Sequence, residues 1–254
     1  MGRAAAVLSP ARSAALAALG AGVVAYYVAR ESLPWLPLWG DVTVVALGVM
    51  PAVFGLEYLA LPLRRAGNAL LVAALACAVL AIAFSEAHVY VGANFAKLVA
   101  MTCFGWWFLR YFEDVSWIVL VALIIPVVDS LSVWRGPTHT IVTHRRHVFN
   151  ALSFAFPVPG KPPNGAVCTG GACDMQLGLP DLLFFALFLA AAARWRLRTF
   201  WTWLALTASF GLTLTLAVGF SVGGLPALPL LAAGFLLPNV DLLWTRLRAR
   251  IHTR

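Results

Sequence analysis

The chain has 254 residues, of which 62% are hydrophobic and 11% charged, and its mean hydropathy is +0.88. A soluble domain carries about 25% charged residues, so the composition excludes an ordinary water-soluble globular protein. The net charge of +8 does not mark a nucleic-acid binder, because the arginines sit in short connections and at the C-terminus and form no single patch; they report membrane topology instead.

Stretches of about 20 mostly apolar residues, each long enough to cross a hydrocarbon core of about 30 Å, recur along the chain. They predict an all-α polytopic membrane protein with about eight transmembrane helices, at 11–29, 42–63, 68–85, 89–109, 115–134, 177–193, 199–221 and 225–244. The first stretch follows Arg3 and Arg12 like a signal peptide. However, Tyr26-Tyr27 makes a poor cleavage site and no polar region follows, so it is expected to stay as a helix. No internal repeat is visible. The chain divides into an N-terminal four-helix part, 1–110, and a second part, 111–254, with one long connection, 135–176. Pro51, Pro126, Pro180, Pro226 and Pro229 fall within or beside spans, where neighbouring protein can satisfy the freed backbone groups.

Counted by side, twelve arginines (3, 12, 64, 65, 110, 194, 196, 198, 246, 248, 250 and 254) face one way. Arg30, Arg135, Arg145, Arg146 and Lys161 face the other. The positive-inside rule then predicts cytoplasmic termini and an outside loop 135–176. Cys168 and Cys173 in that loop, in "CTGGAC", can close a small disulfide in an oxidising compartment. Cys77 and Cys103 lie in spans and read as small apolar residues. Apolar and cationic residues between Ile141 and Phe156 suggest an interfacial amphipathic helix ending near Pro157. Tryptophans 106, 107, 117, 134, 195, 201, 203 and 244 gather near span ends as an aromatic belt. Asp114 and Asp241 read as interface residues, and Glu57 and Lys97 as intramembrane charges that snorkel or pair.

Two acids stand out. Asp129 lies inside the fifth span, three residues after Pro126, and Asp181 opens the sixth. Ionisable groups at membrane depth usually face the bundle interior and carry function. For Asp181 a plain helix-start role is also open, since Pro180 suits a first helical turn and an acid suits a helix N-terminus. The two spans are consecutive and meet at the same loop, so the acids can share a depth. Two facing carboxyls in a low-dielectric site share one proton. The ionised member can then take a proton from water while the protonated one donates to a substrate carbonyl. This chemistry needs no metal and no cofactor. His139, His144 and His147 with the loop cysteines match no compact zinc spacing.

"LGLPDLLFFALF", the span "TWLALTASFGLTLTLAVGF" and "GGLPALPLLAAGF" resemble the presenilin and signal-peptide-peptidase family of intramembrane aspartyl proteases. That family has an Asp in one helix, Gly-x-Gly-Asp opening the next and Pro-Ala-Leu opening the last. Asp129, Gly178-Leu179-Pro180-Asp181 and Pro226-Ala227-Leu228 follow that order, and "WRGPT" follows the first acid. The resemblance covers about 115–244. It implies a nine-span fold, catalysis by Asp129 and Asp181, and substrate positioning by Gly178, Pro180, Pro226, Ala227 and Leu228. The expected partners are transmembrane protein or peptide substrates in the lipid bilayer, with no nucleic acid. Val128 stands where the family usually has Tyr, and Pro180 where it has Gly. The prolines around Ala227-Leu228 predict an extended edge that can pair with an unwound substrate, and a helix-initiating turn is the local alternative. Two other functions fit the same acids: a proton-coupled transporter or permeation pathway, and an inactive presenilin-like scaffold.

Overall fold

The computed structural model describes residues 8–135, 151–160, 174–220 and 225–251. Helix α1 (Pro10–Ala29) starts where Ser9 accepts the Arg12 N–H at 3.4 Å, with Pro10 in the first turn. Helices α2 (Leu38–Val44) and α3 (Met50–Ala60) are joined through a π-helical segment, Val45–Val49, and α3 runs into a 3₁₀ turn, Leu61–Arg65. The π segment sits just ahead of Pro51, whose missing N–H already interrupts the helical ladder. Then follow α4 (Ala69–Glu86), α5 (Tyr90–Phe108) and α6 (Val115–Arg135). After the long connection come α7 (Leu179–Arg194), α8 (Thr199–Gly219), α9 (Leu228–Leu236) and α10 (Val240–Ile251).

Six helical segments are long and apolar enough to cross a membrane by length and composition: Pro10–Ser32, Leu38–Arg65, Ala69–Glu86, Val115–Val133, Thr199–Gly219 and Leu228–Arg246. The protein is a mostly helical, multi-pass membrane protein. The other two predicted spans correspond to α5 and α7 and differ from these six for separate reasons. Helix α5 carries Asn94 and Lys97, and α7 has only 16 residues.

Helix α7 lies at the centre. Every residue from Phe185 to Ala192 is fully buried, as expected of a helix apolar on all sides and surrounded by protein. It packs on α5, α6, α8 and α9. The approach to α5 is close because Gly105 has no side chain; a Cβ there would come within 2.9 Å of the Leu183 carbonyl oxygen. Phe54 of α3 stacks on Phe185 and Phe210, with ring centroids 4.2 and 5.2 Å apart. One core thus joins helices from both halves of the chain.

The connection between α6 and α7 contains two strands. β1 (Ser153–Phe156) and β2 (Met175–Gly178) pair antiparallel, with Ser153 opposite Gly178 and Phe156 opposite Met175. The expected amphipathic helix through Phe156 is therefore corrected over its last residues, where the chain is a strand. Phe154 and Phe156 alternate with Ala155 and are wholly buried in the aromatic core. The rest of that predicted helix, from Ile141 to Asn150, lies outside the described residues. So do Cys168, Cys173, His139, His144 and His147. Cys77 and Cys103 are free thiols.

Candidate functional site

Strand β2 runs without a break into α7, and Gly178 is the junction. It is extended (φ −62°, ψ 144°) and caps the helix, and its N–H donates to Asp181 Oδ2 at 3.2 Å. Asp181 is the third helical residue, so its carboxylate folds back on its own helix start, as in a capping box. A Cβ on Gly178 would stand 3.1 Å from that oxygen. Glycine at this position therefore leaves room for the carboxylate. Pro180 occupies the second helical position, where the backbone N–H has no helical acceptor in any case. The departure from Gly at 180 thus costs the helix no hydrogen bond.

Asp129 projects from α6 one turn after Pro126, which deprives the Ala122 carbonyl of its usual donor. Its Oδ2 accepts the backbone N–H of Leu228 at 3.1 Å, 99 positions along the chain. Leu228 is the first residue of α9. Pro229 follows with no N–H, and the Leu231 N–H returns to the Ala227 carbonyl at 3.0 Å. Asp129 therefore caps a helix to which it does not belong. Ala227 has helical dihedrals (φ −86°, ψ −28°) and both Ala227 and Leu228 are buried. The expected extended edge at Pro226-Ala227-Leu228 is thereby corrected to a helix-initiating turn. Two prolines three apart allow it because the second falls in the first turn, where no N–H is needed.

The two carboxylates lie within Coulombic range of each other, and both are partly buried. Each sits at a helix N-terminus, where the positive end of the macrodipole favours negative charge. Val128, 53% exposed, faces outward, so the Tyr-to-Val departure lies off the Asp129 face.

The extended element beside the acids is the β1–β2 pair, and helices α1 and α5 hold it. Along the edge of β1 that faces away from β2, three alternate carbonyls accept from side chains. Lys97 Nζ donates to Ser153 at 3.0 Å. Asn94 Nδ2 and the Tyr27 hydroxyl donate to Ala155 at 2.7 and 2.9 Å, and Tyr26 donates to Pro157 at 2.8 Å. Asn94 Oδ1 also accepts the Ala155 N–H at 2.9 Å, so its amide behaves like a strand neighbour. An open sheet edge in hydrocarbon costs several kcal/mol per unpaired group; these side chains close it. Arg30 pairs with Asp174 at the start of β2, and the Gly160 N–H donates to the Arg30 carbonyl at 2.8 Å.

Sequence reasoning recognised Lys97 as an intramembrane charge without assigning its partner, and it missed Asn94 and the structural use of Tyr26 and Tyr27. The available signal was two polar residues three apart, Asn94 and Lys97, on one face of an otherwise apolar span. Glu57 is buried beside Thr102 and does not snorkel. Asp241 pairs with Arg198 at 2.7 Å near a span end. No family model, characterised protein or solved structure matches the chain.

Proposed function

We propose that the chain is an intramembrane aspartyl endopeptidase of the presenilin and signal-peptide-peptidase kind, with Asp129 and Asp181 as its dyad. The observation that carries this reading is the Leu228 N–H bond to Asp129, made while Asp129 is in Coulombic range of Asp181. It ties the three segments that resemble the family's motifs into one site. The carboxyls share a proton. The ionised member removes a proton from water as its oxygen attacks the scissile carbonyl, and the protonated member donates to the carbonyl oxygen. Collapse of the tetrahedral diol expels the amine, which takes a proton from the dyad, and an acid and an amine are released. Strand β2 supplies an extended backbone leading to Asp181, beside which an unwound transmembrane substrate can lie as an added strand. The charge distribution supports cytoplasmic termini and an outside loop 135–176.

The test is cleavage of a transmembrane reporter in proteoliposomes by the wild type, Asp129→Ala and Asp181→Ala. Cleavage by the wild type alone is expected, and activity surviving either substitution overturns the dyad. Proton-coupled flux without any cleavage would establish the transporter reading instead.

A further inference from the structure

At the opposite end of α7 from the acids lies a cavity of about 540 Å³ lined by Arg64, Arg65, Arg110, Arg194, Arg196 and Trp106, among others. We propose that this cavity binds the phosphate of an anionic lipid headgroup at the arginine-bearing membrane face. Three elements end here: the 3₁₀ turn after α3, the C-terminus of α5 and the C-terminus of α7.

Part of the guanidinium capacity is used to hold the arginines in place. Arg64 donates to the Leu61 and Ala193 carbonyls at 3.2 and 3.3 Å. Arg194 donates to the Leu109 carbonyl at 2.6 Å, and Arg110 to the Asn68 side-chain oxygen. Each guanidinium has five N–H donors, so most stay available. Among the described residues none of the five forms an ion pair, and the exposed side chains of Arg65 and Arg196 make no hydrogen bond to them.

A purely topological role leaves the charge unbalanced. Three helix C-termini offer about −0.5 each, roughly −1.5 in all, against five full positive charges. A second observation points to the same ligand chemistry. Trp106 is 3% exposed, and its indole N–H is a buried donor with no acceptor. Phosphate oxygens supply both the missing charge and the missing acceptor, and a fork of guanidinia is the geometry that recognises them. The cavity sits at span ends, where lipid headgroups lie.

The experiment titrates dioctanoyl-phosphatidylglycerol into the full-length protein in a nonionic detergent and follows Tm. Dioctanoyl-phosphatidylcholine and inorganic phosphate form parallel arms. A saturable rise in Tm with phosphatidylglycerol alone is expected. The apparent affinity should fall roughly thirtyfold in an Arg65→Gln/Arg196→Gln double variant and be unchanged in Arg12→Gln. Trp106→Phe, which keeps an aromatic side chain and removes the N–H donor, should weaken binding several-fold and carries the test if the double variant does not fold. An equal loss in Arg12→Gln, or an equal rise with phosphatidylcholine, overturns the site. The same shift with inorganic phosphate alone overturns the lipid as occupant and assigns the cavity to a free anion.

Discussion

The two helix starts that carry the acids are built differently. At α7 the acid belongs to the helix it caps, three residues from its donor Gly178, and the strand before it, β2, pairs with β1, which side chains tie to α1 and α5. At α9 the cap comes from α6, where Asp129 accepts the N–H of the first helical residue, Leu228. The first start is therefore held by its surroundings whether or not Asp181 is ionised. The second is held by the acid itself, so a change of proton on Asp129 is felt directly at Pro226-Ala227-Leu228.

The sharpest way to break this comparison is to neutralise each acid without changing its shape. Asp129→Asn and Asp181→Asn should each lower turnover of the reporter by about 10²–10⁴-fold, since the amide can neither take nor give the proton. Both keep an oxygen that accepts the Leu228 or Gly178 N–H, so Tm should move little. A variant with near-wild-type turnover would show that its acid is only a cap. The wild-type pH profile of kcat/KM should be bell-shaped, because the working form carries one proton on two carboxyls. A profile with a single limb would remove the sharing.

Asn94→Leu acts on the α7 start alone. It strands the Ala155 N–H in an apolar setting and should cost about 1–3 kcal/mol, read as a lower Tm or a lower denaturant midpoint. The loss should be accompanied by reduced kcat, as Asp181 loses its framework. Gly178→Ala should be milder. The Asp181 oxygen need shift only a few tenths of an ångström to clear the new Cβ, and a several-fold fall in kcat at nearly constant Tm is expected. The smallest effect belongs to Pro180→Gly, which restores the residue usual in the resembled family. It should lower stability by about 0.4–1 kcal/mol through added freedom of the unfolded chain and leave turnover within about twofold. A large gain in turnover would show that Pro180 constrains the site.

Much of this was legible in the sequence, and its limits follow from physics. Helix α6 occupies Val115–Arg135, within a residue or two of its predicted span, because a long apolar run admits no other structure in lipid. Asp129 and Asp181 stood out because a carboxylate is costly there. Strand β1 was misread because "SFAF" is too short for periodicity to separate strand from helix, and its partners Asn94 and Lys97 lie 61 and 56 positions away. The turn at Ala227 was misread for a different reason. Two prolines fit an extended edge and a helix start equally well, and the choice depends on an acceptor 99 residues upstream. The place of Pro180 in a first helical turn, by contrast, was legible from its neighbour Asp181, and α7 starts there.

The 56 positions between Lys97 and the Ser153 carbonyl also impose a timetable on biogenesis. At about 5–20 residues per second, roughly 3–11 seconds pass between the synthesis of α5 and that of the strand its polar residues serve. During that interval an ammonium and an amide must be hosted elsewhere, by the translocation machinery, by interfacial water or by a temporary fold of the first five helices. Newly made protein should therefore be most vulnerable to quality control just before the first strand of the sheet leaves the ribosome.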